Sequence, residues 1–172
     1  RVWATGIHNG FAGFGDAEIA APFQSQSIPI PQHSRLCEVE QKGGRNGHQV
    51  IRRSQAQSPL SVMATFELTE PHEMLRIEAL HLSDGAPYIL EDRWVSLTTV
   101  PDILDLDLTQ QSANEWLVLH CPYTRCDLRF YAISADEDVA DLLQTSIGTA
   151  LFVIERTTWI GLAPITTVKA IT

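Results

Sequence analysis

An imidazole, a carboxylate and a guanidinium lie close together in the middle of the chain, as His81, Glu91 and Arg93. The two segments that carry them, 74–82 and 87–96, flank Asp84-Gly85, a dipeptide suited to the positive φ values of a tight hairpin turn, so they are expected to pair antiparallel. Strand alternation puts Ile77, Ala79 and His81 on one face, and Glu91 and Arg93 on one face of the partner strand. If the two faces coincide, the three polar side chains converge on a sheet otherwise built from Leu, Ile and Val, where unpaired buried charge is expensive. Two readings are open: a ligand with complementary polar groups, or a Glu91–Arg93 pair two residues apart beside a surface histidine. Further on, Arg156 and Thr158 alternate with Glu155, Thr157 and Trp159. A guanidinium fork is well shaped to hold a carboxylate or phosphate, and Arg156 reads either as such an anion clamp or as half of a salt bridge at the rim.

Other chemistries find little support. His120-Cys121 and Cys126 offer three soft ligands without a fourth at zinc-finger spacing, so no metal is expected. No serine sits in a GxSxG elbow, and no cysteine has a local basic partner to lower its pKa, which leaves nucleophilic catalysis without a candidate. Phe11-Ala12-Gly13-Phe14-Gly15-Asp16 has the glycines of a phosphate loop but no following lysine. Cys37, Cys121 and Cys126 form an odd set with no framework spacing and are read as thiols.

The elements that must position these residues follow from caps and turns. Ser58-Pro59 reads as an N-cap with Pro at the first helical position, opening a helix that runs to about Glu67. Ser112-Ala113-Asn114-Glu115 and Ser134-Ala135-Asp136-Glu137 both read as capping boxes, and Gly148 as the left-handed stop of the second helix. Segments 124–133, 151–159 and 163–171 read as strands, the last two joined at Ile160-Gly161-Leu162. The order predicts an α+β fold, one largely antiparallel sheet with helices packed on it. Residues 1–32, rich in Gly, Pro, Ser and Ala, read as a leader or linker, with Ile28-Pro29-Ile30-Pro31 extended, and 33–172 as one domain. The stretch 41–57, with Gly43, Gly44 and Gly47 among Lys42, Arg45, Arg52 and Arg53, reads as irregular and mobile.

Composition sets the outer bounds. The 172 residues, 44% hydrophobic and 19% charged, suffice for one globular domain. Twelve Lys and Arg against 21 Asp and Glu give a net charge of −9, with no basic cluster, which argues against a direct grip on nucleic-acid phosphates. The longest apolar runs, such as 151–154, are far below the ~20 residues a membrane helix needs. The expectation is a soluble, cytoplasmic protein without a membrane partner.

The stretch 74–95, ending in Leu90-Glu91-Asp92-Arg93-Trp94-Val95, resembles the effector-binding (UTRA) domain of GntR-type transcription regulators, in its histidine-utilisation-repressor branch. The resemblance continues through Asn114-Glu115-Trp116-Leu117, Pro122-Tyr123-Thr124, the 134–143 helix, Glu155-Arg156-Thr157-Thr158-Trp159 and Pro164-Ile165-Thr166. His33-Ser34-Arg35-Leu36 looks like the family's first strand. The resemblance thus covers 33–172 and is densest over 66–166.

It implies a chorismate-lyase-like fold around a small-molecule pocket, a homodimer, no catalysis and no cofactor. In this branch the implied effector is urocanate or a related imidazole carboxylate, and DNA is reached only through a winged helix-turn-helix domain outside this chain. Glu91 would accept from a ring N–H, while Arg93, Arg156 or His81 would meet the carboxylate. Asn114 would face the ligand from a helix N-terminus, a location that favours anions, and Thr124, Thr158 and Thr166 complete the implied ligand-binding set. Sugar-phosphate-sensing members carry arginines at the positions of Ala79 and His81, which points away from a phosphosugar. Two departures stand out: Asp127-Leu128 replace the family's Glu-His pair, and the His-Pro-Gly and Tyr-Arg segment of the repressor does not occur before Thr172. Two other functions fit the same residues: a chorismate-lyase-like enzyme using Glu, Arg and His for acid–base work, or an interaction module with a degenerate pocket.

Overall fold

A computed structural model of the chain describes residues 46–172; the leader expected over 1–32, the strand expected at 33–36, and Cys37 lie outside the described residues. Six strands form one antiparallel sheet: β1 (Asn46–Gln57), β2 (Glu73–Ser83), β3 (Ala86–Ser96), β4 (Arg125–Ser134), β5 (Ala150–Ile160) and β6 (Ala163–Ile171), in the spatial order β1-β2-β3-β6-β5-β4. Helix α1 (Leu60–Phe66) joins β1 to β2. A 3₁₀ turn (Pro101–Asp105) and α2 (Ala113–His120) lie between β3 and β4, and α3 (Glu137–Leu143) between β4 and β5. The α+β expectation with one antiparallel sheet is what the structure has.

The β2–β3 hairpin turns on Asp84 and Gly85, both at positive φ (52° and 83°), the conformation its dipeptide favours. The capping box at α2 is complete: Ser112 Oγ accepts from Glu115 N, and Glu115 Oε2 accepts from Ser112 N.

Four expectations are corrected. Residues 46–57 are strand β1, not an irregular stretch, because every residue except Ile51, skipped at a register shift, finds a ladder partner along β2. Pro59, not Ser58, precedes the first turn of α1, since Ser58 Oγ is taken by His72 N. Asp136, not Ser134, caps α3 by accepting from Val139 N, while Ser134 ends β4. Gln144 supplies the left-handed stop of α3, and Gly148 lies in the following turn, its N–H donating to Ala135 O.

The sheet has two differently furnished faces. On one, the 3₁₀ turn and α2 pack Val100, Ile103, Leu108, Ala113 and Leu117 against Leu75, Ile77 and Val95. Arg53 of β1 holds this cover in place by donating to the backbone carbonyls of Ile103, Leu104 and Leu106 at the end of the 3₁₀ turn. On the other face, α1 packs Val62 and Phe66 on Met74, Trp94 and Trp159, and α3 packs Ala140 and Leu143 on Leu151 and Ile171.

Ile103 is fully buried, whereas its neighbour Leu104 is 36% exposed. Ile103→Ala is therefore expected to cost about 2–5 kcal/mol through the cavity left beneath the cover. Leu104→Ala is expected to stay within about 0.5 kcal/mol. Urea denaturation of both variants tests the assignment of the cover to the core.

Candidate functional site

The β2–β3 register sets Ile77 opposite Arg93 and Ala79 opposite Glu91, so the two polar faces coincide. Opposite Glu91 stands only the methyl of Ala79, and His81, its diagonal neighbour, reaches across to bring Nε2 within 3.2 Å of Glu91 Oε2. Facing a carboxylate, that nitrogen is the donor. Glu91 Oε1 accepts from Arg93 Nε at 2.7 Å. His81, Glu91 and Arg93 are all buried, Arg93 to 1% exposure. Burial alone would raise the Glu91 pKa, but the Arg93 charge and the hydrogen bonds from His81 and Arg93 override it and hold the carboxyl far below its usual range.

The far end of Arg93 meets α2. Its Nη2 donates to Asn114 Oδ1 at 3.2 Å and its Nη1 to Thr166 Oγ1 at 3.5 Å. Asn114 stands in the first turn of α2, and the same Oδ1 also accepts from Arg156 Nη2. One amide oxygen thus holds two guanidiniums, beside a helix N-terminus that adds its own partial positive charge. Burial, and then the nearby Arg93 charge, pull the Arg156 pKa below its usual value, yet a guanidinium stays charged in any ordinary medium. Arg156 Nε is buried with no protein hydrogen-bond partner. Two cationic side chains face one carboxylate, so the cluster carries an uncompensated positive charge and an unused donor. What such a place can do is bind an anion.

Among the remaining predicted residues, Thr158 and Thr166 are buried opposite one another on β5 and β6, on the same face as Arg156, with Thr166 Oγ1 also donating to Trp94 O. Thr124 lies apart: it is exposed, and its hydroxyl accepts from Gly161 N at the β5–β6 turn. Leu128, which replaces the family's histidine, sits directly across from Arg156 and gives it an apolar neighbour. Cys121 and Cys126 are free thiols, and His120 stacks on Trp116 with ring centroids 4.6 Å apart.

Sequence reasoning missed His48. It pairs with His81 in the β1–β2 ladder, and their rings are 5.3 Å apart, so the polar line runs from β1 to β5. Burial and then the His81 charge lower the His48 pKa, partly offset by Glu91 and Glu115. The only hint was a histidine after a glycine, and space at Gly47 is tight: a Cβ would lie 3.2 Å from Leu82 Cβ.

The opposite face carries a cleft of about 360 Å³ between α1 and the sheet, lined by Ser61, Asp92, Trp94, Arg129, Glu155 and Lys169 among others. It contains none of the predicted site residues. Register sets Asp92 beside Lys169, Lys169 beside Glu155, and Glu155 beside Arg129, so its charges alternate in sign. A self-compensating floor is a weaker anion site than the buried arginine pair.

The chain is similar to known proteins over most of its length. Residues 41–169 match the UTRA domain family. The histidine utilization repressor of Pseudomonas putida is 28% identical over 134 residues, 78% of this chain and 54% of that protein. The repressor of the same description from Pseudomonas aeruginosa is 26% identical over 151 residues, 88% of this chain and 60% of that protein, so the chain spans little more than half the length of these relatives. Among solved structures, the C-terminal domain of histidine utilization repressor from Pseudomonas syringae superposes with a TM-score of 0.69 at 27% identity, over 74% of this chain and 90% of that one. The effector domain of PhnF from Mycobacterium smegmatis shares the fold, with a TM-score of 0.71 at 16% identity over 83% of this chain and 90% of that one. With three-quarters of its length matched and its α+β sheet shared with the regulatory domains of GntR-family proteins, the chain belongs to the UTRA domain family.

Proposed function

We propose that this chain is the effector-sensing part of a cytoplasmic GntR-type regulator of the histidine-utilisation-repressor kind, and not an enzyme. The effector is urocanate or a closely related imidazole carboxylate. The observation that carries the reading is the arginine pair: Arg93 and Arg156 share Asn114 Oδ1, and Arg156 keeps a buried Nε–H with no acceptor. A carboxylate placed there accepts from that donor and neutralises the excess charge. Glu91 and His81, and beyond them His48, line the way from the arginines toward β1, where a ring N–H of the ligand finds an acceptor in the Glu91 carboxylate. Ala79 and His81 in place of further cations disfavour a doubly charged phosphate. The relatives that support this reading are histidine utilization repressors, and a ligand can switch a protein only through differential affinity for two of its arrangements. Here the sensor works as a pair of copies, each joined to a winged-helix DNA-binding domain, and effector binding lowers operator affinity by the reciprocal coupling that linkage requires.

Thermal-shift and calorimetric titration with urocanate, imidazole propionate, histidine and sugar phosphates tests the reading. Urocanate is expected to raise the unfolding midpoint by mass action, and sugar phosphates to leave it unchanged. Stabilisation by sugar phosphates alone overturns the assignment. Arg156→Ala is expected to weaken urocanate binding about 10- to 100-fold, the loss of one charge-assisted contact. It should change the free protein's stability by less than about 1 kcal/mol, because it also relieves repulsion with Arg93.

The Glu91 carboxyl adds a pH signature. Its folded pKa is depressed, so its stabilisation is complete above the unfolded carboxyl value of about 4 and is lost as the pH falls toward the folded value. At neutral pH, Glu91→Gln should cost about 3 kcal/mol by leaving Arg93 buried without its counter-charge. On acidification from about pH 6 to about pH 3 the wild type should lose stability faster than this variant, so that the gap narrows. A gap independent of pH shows that Glu91 is not the charged partner of Arg93.

A further inference from the structure

The buried arginine pair is enclosed. His81, Glu91, Arg93, Thr158 and Thr166 are each at most 8% exposed and Arg156 Nε is buried, so a ligand reaches them only by displacing something that covers them. Among the described residues, Asn114 is the only group outside the sheet that bonds either guanidinium. The other partners of Arg93 are Glu91 on β3 and Thr166 on β6, and the Arg156 guanidinium has none besides Asn114. Between two guanidiniums the amide must present its oxygen, since its nitrogen has only hydrogens to offer. That oxygen is one neutral acceptor shared by two cations. A carboxylate brings two oxygens with about four lone-pair sites, and its bonds to a guanidinium are about twice as strong as those of a neutral acceptor. The surplus positive charge of the cluster, which an amide leaves in place, is cancelled by a carboxylate.

We propose that Asn114 is an internal substitute for the effector's carboxylate: it holds the two arginines in the empty protein, and the effector displaces it rather than binding beside it. This rests on the reading that the arginine pair receives a carboxylate, and it reverses the role expected of Asn114 from the family resemblance, that of a ligand contact. The amide and the ligand compete for the same donors, so the empty site stays satisfied at the cost of part of the ligand's affinity. Displacement also has a structural consequence. Asn114 lies in the first turn of α2, and its release removes a polar tie between that helix and the sheet. Helix α2 is then held by the apolar contacts of Ala113 and Leu117, while Arg53 still fastens the preceding 3₁₀ turn. The first turn of α2 is thus the element that distinguishes an empty site from a filled one.

Calorimetric titration of the full chain with urocanate, on the wild type, Asn114→Ala and Asn114→Asp, provides the test. Asn114→Ala removes the competitor and should bind urocanate about tenfold more tightly, because the closed arrangement no longer withholds the site. The substitution suits the helix, alanine being the best helix former. Asn114→Asp tethers a carboxylate where the effector's belongs and should weaken urocanate binding about 100-fold or more. Hydrogen exchange on the wild type gives a readout that depends on no variant. Saturating urocanate should speed exchange of the Glu115 and Trp116 amides, which bond Ser112 in the first turn of α2, although a ligand that merely packs against a helix slows its exchange. Urocanate bound by the wild type, with equal or weaker binding by Asn114→Ala or with slower exchange at Glu115 and Trp116, leaves the effector reading intact and overturns the role given to Asn114. Binding by Asn114→Ala alone supports both. Urocanate bound by neither protein overturns both together.

Discussion

A guanidinium enclosed in the middle of a β-sheet governs how this molecule is arranged. Arg93 is buried as deeply as the leucines around it, and a charge in that position persists only with a counter-charge and with its remaining donors satisfied. Glu91 supplies the first, two residues away on the same strand face. The rest comes from Thr166 on β6 and Asn114 on α2, so the arginine ties the sheet to its cover. The capping box at Ser112 and Glu115 fixes where α2 begins, and hence where the Asn114 amide stands. Arg53, far away on β1, fixes the preceding turn by holding its carbonyls. Satisfying Arg93 is thus a task shared by four elements, and the second guanidinium, Arg156, is the part that the protein leaves incomplete.

That incompleteness separates a structural ion pair from a receptor. A closed Glu91–Arg93 pair with His81 alongside would be a satisfied, inert piece of core. Adding Arg156 to the same amide oxygen introduces like-charge repulsion and a stranded N–H, costs that folding alone gives no reason to accept. Replacing a polar neighbour on β4 by Leu128 sharpens the effect, because no side chain directly across the ladder accepts from Arg156. The cleft on the opposite face shows the contrast: its charges alternate from strand to strand and compensate one another.

Much of this was legible in the chain itself where a local rule had no competitor. Asp84-Gly85 sets a tight turn and so the antiparallel hairpin, but a bulge between His81 and Leu82, which no local signal announces, shifts the register by one residue and makes the Ile77–Ala79–His81 and Glu91–Arg93 faces coincide. β1 was illegible for the opposite reason. Three glycines resemble loop punctuation, and the shift at Val50 breaks the period of two on which strand recognition depends. Gly47 is in fact the mark of a close strand–strand approach. His48 disappeared along with its strand. The caps slipped by one residue at Pro59, two at Asp136 and four at Gln144, because several nearby residues can end or open a helix and tertiary contacts choose among them. Asn114 had no local signature at all: that a helix residue bridges arginines from two strands follows only from how α2 lies across the sheet.

The location of the unsatisfied charge also bears on how a small ligand can be felt beyond its pocket. β5 is the second strand from the β4 edge, and Arg156 presses on Leu128 across a ladder without bulges. Such a ladder is stiff, and displacement of one strand carries its neighbour rather than being absorbed by a kink. Under the proposed reading, an anion that draws Arg156 toward Arg93 would pull on β5 at the point where β4 is registered to it. β1, by contrast, has a bulge in its ladder with β2 and is pinned by Arg53 to the cover, so movement there has somewhere to dissipate. Among the described residues, β4 is the strand beyond β5, continuous in register with it and mechanically closest to Arg156. Coupling of a bound ligand to the rest of a protein needs an interaction that differs between two arrangements, and under the proposed reading the contact between Arg156 and its register partner Leu128 is one the ligand would change.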